Sequence, residues 1–346
     1  MRRNLLLAAI AVAVFFGIVE IGLRLSGRVP TDQLRSPDLQ TLDSIPGMFE
    51  PGQDYVDRVL PDLPYRVRIN ALGFRGGEFP LRKAPGTLRI LCVGDSYTFG
   101  PYVEDDQTFP AMLGRALLEA SPPAPGRVEV INAGASGFSI EDELIYLRDK
   151  AGPLEPDVVV LGFCQNDILD LKRPRPMIAT MREHSRLKSA FVLGPALKLL
   201  QRTAIFNGMQ RAAAMIRVRQ MHADASTDGS ATPALWNRYR DLLGQVVDLV
   251  RRRNARFLMV VWSSADQIAG KASMEPQERL AGMARDLGFE ALDLAPVIRE
   301  IKTGGANPYF VPIDGHPNTL AYDAAARLTA RRLIDLGYLT PAQPRP

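Results

Sequence analysis

The sequence predicts an α/β fold: a doubly wound, flavodoxin-like parallel sheet of about five strands with helices on both faces, plus an N-terminal transmembrane helix and a helical insert. Three observations lead there. Apolar runs of strand length alternate with helix-patterned stretches from Leu88 to Leu336, which is how successive βαβ units read. These runs are predominantly apolar, as strands covered on both faces are. The alternation stops between Lys172 and Pro233 and then resumes, which marks an insert rather than the end of the domain.

The elements follow in order. Residues 88–93 form a compact apolar strand closed by Gly94, and 109–120 has helical spacing and stops before Pro122-Pro123. A second strand is expected over 128–131, a helix over 141–150, and a third, Val-rich strand over 157–163. A helix over 236–253, a strand over 256–262, a helix over 278–287 and a short strand over 290–294 come next. Residues 320–336 give the closing helix. Upstream, residues 28–80 are rich in Pro, Asp and Gly; within them 65–70 alternates like a strand and 71–76 reads as a turn. The expected organisation is an anchor over 1–27, a stalk and collar over 28–80, and one domain over 81–346 that contains the insert 172–233.

Arg2-Arg3 precede an apolar run over residues 5–23 that only Glu20 interrupts. At ~1.5 Å per residue such a helix reaches ~30 Å, the thickness of a hydrocarbon core. The small-x-small cleavage site of a signal peptide is missing at its end. An uncleaved single-pass anchor is therefore expected, with the basic start inside and the remainder extracytoplasmic. The insert is Met-rich and basic. It is read as a helical lid over the site, the alternative being a surface lying on lipid headgroups.

The net charge of +4 comes from dispersed arginines. No basic run and no basic patch studded with aromatics appears, which argues against a nucleic-acid partner. Cys92 and Cys164 are the only cysteines. Both lie in apolar, strand-like runs and read as small buried hydrophobes; neighbouring parallel strands seldom offer disulfide geometry. No metal-ligand spacing is visible, and no cofactor is expected.

Four short motifs fall at strand ends or before the last helix. Gly94-Asp95-Ser96 follows the first strand and would present a serine at the carboxyl edge of the sheet, where ligands of such folds sit. Asn132-Ala133-Gly134-Ala135-Ser136-Gly137 follows the second, and its glycines allow a backbone N–H to approach a ligand closely. Gln165-Asn166-Asp167 follows the third and can aim an amide N–H at a developing negative charge. Asp314-Gly315-His316 precedes the closing helix and pairs an imidazole with an orienting carboxylate. Each motif alone has an ordinary structural reading as a turn or a helix cap. Their occurrence in order, facing one sheet edge, is what carries weight.

With these residues the chain resembles the SGNH (GDSL-type) hydrolases, named for Ser, Gly, Asn and His in four successive blocks. Ser96, Gly137, Asn166 and His316 correspond to the four, and the resemblance covers about 88–336, the insert least. The collar Ile69-Asn70-Ala71-Leu72-Gly73-Phe74-Arg75 is similar to that of bacterial members with an N-terminal membrane segment. Two departures stand out. Gly162 lies four residues before Asn166 where the family usually reads Gly-x-Asn-Asp, and Asp314 gives Asp-x-His where Asp-x-x-His is common. The nucleophile elbow Gly-x-Ser-x-Gly of other α/β-hydrolases fits less well, because Thr98 replaces its second glycine.

The resemblance implies an esterase acting through an acyl-enzyme. Ser96 would be the nucleophile, His316 the base and Asp314 its orienting acid. Ser96, Gly137 and Asn166 would form the oxyanion hole. The expected partner is a small-molecule or carbohydrate ester. The same residues would serve an O-acyltransferase acting on an extracytoplasmic polysaccharide; a non-catalytic envelope protein retaining the fold is the remaining alternative.

Overall fold

The computed structural model describes residues 2–26, 45–58, 60, 62–120, 127–189, 200, 203–209, 212, 216 and 231–339. Helix α1 spans Arg2–Ser26. Among the described residues no helix is long and apolar enough to cross a membrane, so the expected transmembrane anchor is not supported. The expectation treated Glu20 as a lone interruption. Its carboxylate instead pairs with Arg24 at 2.7 Å and accepts the backbone N–H groups of Ala204 (2.8 Å) and Ile205 (3.0 Å). An ion pair one turn apart shortens the apolar stretch and ties it to the chain's own backbone.

Strands β1 (Asp54–Asp57) and β2 (Tyr65–Arg68) form a two-stranded antiparallel ribbon. Tyr65 and Val67 point inward while Arg66 and Arg68 point out, the alternation visible in the sequence. Tyr65, Val67, Ile69 and Phe74 belong to the same buried cluster as Leu91 and Val93 of the main sheet. Tyr65, Val67, Ile69 and Phe74 thus pack this segment onto the sheet rather than leaving it standing off.

The domain then alternates as expected. Strand β3 is Thr87–Gly94, followed by a four-residue helix α2 (Ser96–Phe99) and α3 (Phe109–Glu119). Next come β4 (Arg127–Gly134), α4 (Ile140–Asp149), β5 (Val158–Phe163), α5 (Asn166–Asp170) and α6 (Met177–Ser189). After the insert follow α7 (Pro233–Arg252), β6 (Arg256–Val261), α8 (Ala265–Ile268), α9 (Glu275–Leu287), β7 (Glu290–Asp293), α10 (Ala295–Thr303) and α11 (Thr319–Asp335). Half of the insert on which a lid was expected lies outside the described residues, as do His222 and the side chain of His184.

β3 to β7 form one parallel sheet in the order β4-β3-β5-β6-β7. Counting these five strands in chain order gives the flavodoxin-like order 2-1-3-4-5. One face is covered by α4, α7 and the collar, through Tyr146, Tyr239, Leu243 and Phe74. The other is covered by α3, α10 and α11, through Leu113, Ile298, Tyr322 and Leu333. Helix starts differ from the sequence expectation by a few residues where a cap sets them. α7 opens at Pro233 because the Thr232 hydroxyl accepts from Leu235 N–H, and Pro suits the first helical position.

The topology places β3 centrally, with β4 and β5 beside it. In register across these three strands, Gly94 faces Gly134 on one side and Gly162 on the other. α2 lies directly on this row. A Cβ on Gly134 would stand 2.3 Å from the Phe99 backbone nitrogen; one on Gly94 or Gly162 would stand 2.2 or 2.7 Å from Thr98 Oγ1. The glycine row brings the turn after β3 onto the strand ends, and Ser96 with it. Gly162, out of place as a neighbour of Asn166, has its physical reason here.

A Gly134→Ala variant is expected to lose about 1–3 kcal/mol, because backbone rather than a flexible side-chain end must move. Gly77→Ala, where nothing lies within 4 Å of the added methyl, is expected to stay within about 0.5 kcal/mol. Urea midpoints of the two variants against wild type check this; equal midpoints would contradict the packing of α2 on the row.

Candidate active site

Ser96 is the first residue of α2, immediately beyond β3. The helix is held by Asp95, whose buried carboxylate caps it by accepting Tyr97 N–H at 2.8 Å. Ser96 Oγ lies 2.8 Å from His316 Nε2. On the other side of the ring, His316 Nδ1 is in short contact with Asp314 Oδ1, which also accepts the His316 backbone N–H at 2.8 Å. With Nδ1–H directed at the carboxylate, Nε2 is left to accept the serine proton.

Asp314 reaches the ring from only two residues away because its loop folds back on itself. Phe310 N–H donates to His316 O at 3.0 Å, Asp314 N–H to Phe310 O at 3.1 Å, and Tyr309 pairs with Pro317. The tight loop turns Asp-x-His into a working pair. The imidazole sits between two tyrosines, with ring centroids 5.4 Å (Tyr97) and 5.7 Å (Tyr102) away. Tyr102 OH donates to Asp314 Oδ2 at 3.4 Å.

The charges in this chain support one another. Burial presses the His316 imidazole toward neutrality, but the hydrogen bond and charge of Asp314, with Asp95 adding, outweigh it and raise its pKa above the ordinary 6.5. Burial pushes Asp314 up, and the bond and charge of His316, with the Tyr102 hydroxyl, bring it below the ordinary carboxylate value.

Asn166 opens α5 just beyond β5. Its Nδ2 donates to Asp95 Oδ2 (3.1 Å) and Asp170 Oδ2 (3.3 Å), and Ser96 Oγ lies 3.3 Å from the same Asp95 oxygen. Asp95 therefore joins the serine to the asparagine. Both amide hydrogens are engaged by carboxylates, so an incoming anion would have to compete for one. Gly137 sits in the turn after β4 with φ +81°, backbone that glycine adopts at little cost. Its carbonyl accepts from Arg173 Nη1 at 2.5 Å. Of the residues expected in the site, Ser96, His316 and Asp314 form one hydrogen-bonded chain. Asn166 joins it through Asp95, and Gly137 is held on the flank by Arg173.

Several residues here had no signal in the sequence. Tyr102 takes a left-handed φ of 65°, unusual for a bulky residue, and no motif announces it. Arg75, in the collar, is buried, and its guanidinium donates to the carbonyls of Phe99, Gly100, Arg66 and Val103 while pairing with Asp105 at 2.9 Å. The collar thus clamps the loop that carries Tyr102. Cys92 and Cys164 are free and buried. Cys92 packs in the core as expected, whereas the Cys164 thiol donates toward Asp95 Oδ2 (2.9 Å) and Asn166 Oδ1 (2.6 Å).

Beneath the site lie carboxyls that the sequence gave no reason to gather. Asp95, Cys164 and Asp167 bring one donor atom each within 4.8 Å of one another, all three buried, a grouping in space that no spacing in the sequence shows. Their donors are turned on each other and on backbone: besides the thiol contacts, Cys164 N–H donates to Asp167 Oδ2 at 3.1 Å. Glu143 of α4 is fully buried, and among the described residues neither of its oxygens has a hydrogen-bond partner. Burial, with Asp95 and Asp142 nearby, pushes its carboxyl well above the ordinary value of 4.5. Burial likewise raises Asp167, with Glu143 and Asp95 adding. Glu143 is held as a neutral acid.

The sequence matches the model of the GDSL-like lipase/acylhydrolase family over residues 92–324. No curated protein sequence matches it. Among solved structures it is similar to a member of the lipolytic protein G-D-S-L family from Veillonella parvula DSM 2008 (15% identity, 72% of this chain and 97% of that chain, TM-score 0.42). It is also similar to the lipase/acylhydrolase from Enterococcus faecalis (16%, 74% and 100%, TM-score 0.43). A third is a catalytic mutant of Axe2, an acetylxylan esterase from Geobacillus stearothermophilus (13%, 73% and 96%, TM-score 0.44). At these identities and scores the likenesses carry no argument about substrate.

Two outcomes follow from the charges. His316 is expected to titrate above pH 6.5 by histidine NMR; in Asp314→Asn, burial loses its chief opponent and the titration moves to lower pH. An unmoved titration would contradict the pairing. For Glu143, the folded pKa lies above the unfolded one. Its contribution is therefore whole at or below about pH 4.5 and is lost as pH rises toward the folded value. Glu143→Gln has no such loss, so the thermal midpoint of the variant should gain on wild type as the pH rises above the ordinary value of 4.5. A pH-independent difference would contradict a neutral Glu143.

Proposed function

Because the chain belongs to the GDSL-like lipase/acylhydrolase family and is a hydrolase acting on ester bonds, we propose that it cleaves carboxylic O-acyl esters through an acyl intermediate on Ser96. The single observation that carries this reading is the unbroken chain from Ser96 Oγ to His316 Nε2 at 2.8 Å and from His316 Nδ1 to Asp314.

In this mechanism Ser96 Oγ attacks the ester carbonyl carbon while its proton passes to His316 Nε2. The imidazolium so formed faces the Asp314 carboxylate, which keeps the ring in its tautomer and offsets its charge. The carbonyl oxygen takes up negative charge, stabilised by the N–H groups of Ser96 and Gly137 and by the Asn166 amide. Collapse breaks the bond to the alcohol oxygen, which leaves with the proton from His316. Water then gives its proton to His316 and attacks the acyl carbon; Ser96 departs with that proton, and the acid is released. The raised pKa of His316 sets the acid limit, since a protonated ring cannot accept the serine proton. The substrate class proposed is a small-molecule or carbohydrate ester.

Initial rates with p-nitrophenyl acetate test the reading. Ser96→Ala should abolish hydrolysis while circular dichroism stays unchanged, and Asn166→Ala should fall by ~10²–10³ in kcat. A Ser96→Ala variant as fast as wild type would sink the proposal.

A further inference from the structure

We infer that Arg173 is a positioning residue that clasps the two flanks of the oxyanion hole, holding the Gly137 turn and the Asn166 amide in register through one guanidinium. The inference rests on the reading of Gly137 and Asn166 as oxyanion donors and goes beyond it. Arg173 lies between α5 and α6, at the opening of the insert, with its side chain 33% exposed. Its Nη1 donates to the Gly137 carbonyl at 2.5 Å, and its Nη2 pairs with Asp170 Oδ1 at 2.7 Å. The other oxygen of Asp170 accepts from Asn166 Nδ2 at 3.3 Å. A continuous path therefore runs from the turn after β4 to the amide after β5, two segments that no motif links.

The chemistry asks for such a clasp. Gly137 at φ +81° has no side chain to fix its peptide, and the neighbouring Met177 methyl offers only contact, 3.1 Å from where a Cβ would stand. Asn166 has both amide hydrogens on carboxylates, Asp95 and Asp170. Burial pushes the Asp170 carboxyl up to about 6 against the charge of Arg173; the guanidinium favours the carboxylate on which the amide rests and fixes its place. A planar fork can serve a carbonyl and a carboxylate at once in fixed geometry; the point charge of lysine cannot. Without the fork, the Gly137 carbonyl loses its charged partner and Asp170 loses the cation that fixes it, so the turn and the amide are each held less firmly and drift from their working positions. Donors misplaced by a fraction of their working distance cost rate rather than affinity.

A fluorophosphonate probe reads this directly. It forms a bond from phosphorus to Ser96 Oγ and expels fluoride, with the serine proton passing to His316, and its phosphoryl oxygen occupies the oxyanion position. In Arg173→Ala the maximal labelling rate kinact should fall about tenfold or more, with KI and the thermal midpoint little changed. Arg173→Lys should recover only part of the loss. Added millimolar guanidinium should raise the rate of Arg173→Ala and not that of wild type. In an Asn166→Ala background, removing Arg173 should cost markedly less. An unchanged kinact, or an equal loss in both backgrounds, would overturn the inference. A wild type that is not labelled at Ser96 would instead overturn the acyl-enzyme reading, and this inference with it.

Discussion

The site depends on how closely a short turn can lie on the ends of three strands. Gly94, Gly134 and Gly162 stand side by side across β4, β3 and β5, and α2 fills the space their missing side chains leave. A methyl group at any of them would meet Thr98 or the Phe99 backbone, and packed interiors do not yield such space cheaply. With α2 seated, Ser96 faces the His316 loop, Asp95 faces α5, and the turn after β4 approaches from the other side. The motifs at the sheet edge are one structure because the glycine row allows them to be.

Asp95 is the second constraint. It caps α2 and holds Asn166 Nδ2, while Ser96 Oγ and the Cys164 thiol both lie against its Oδ2. A buried carboxylate with four polar partners is a rigid joint, since loosening any one exposes charge to a poorly solvating interior. The carboxyls beneath it cannot all share that charge. Burial and mutual repulsion raise Glu143 and Asp167. Asp314 has the same relation to His316 on the far side of the serine, with Tyr102 on its second oxygen.

Much of this was legible in the sequence, and the reasons are local. Parallel strands covered on both faces are mostly apolar, so the main strands announced themselves, and the four motifs fell at their ends or before α11. Ser96, His316 and Asp314 were legible because the nucleophile, base and acid of the proposed chemistry must be residues of those types. What was hidden is what depends on three-dimensional neighbours. Gly162 reads as a misplaced motif glycine until its register with Gly94 is seen. Arg75, Tyr102 and Arg173 are single residues with no spacing rule, recruited by loops that fold toward the site. α2 is too short for any periodicity to show. The transmembrane reading counted apolar residues but had no access to the bonds that engage Glu20.

The central claim is that Ser96 carries the acyl group between the two halves of the reaction. The most direct measurement is rapid acid quench of the enzyme during turnover of p-nitrophenyl acetate, followed by peptide mapping by mass spectrometry. The account predicts an acetyl adduct on the peptide containing Ser96, localised to that residue and absent in Ser96→Ala. Turnover with no adduct, or with the acetyl group on another residue, would contradict it.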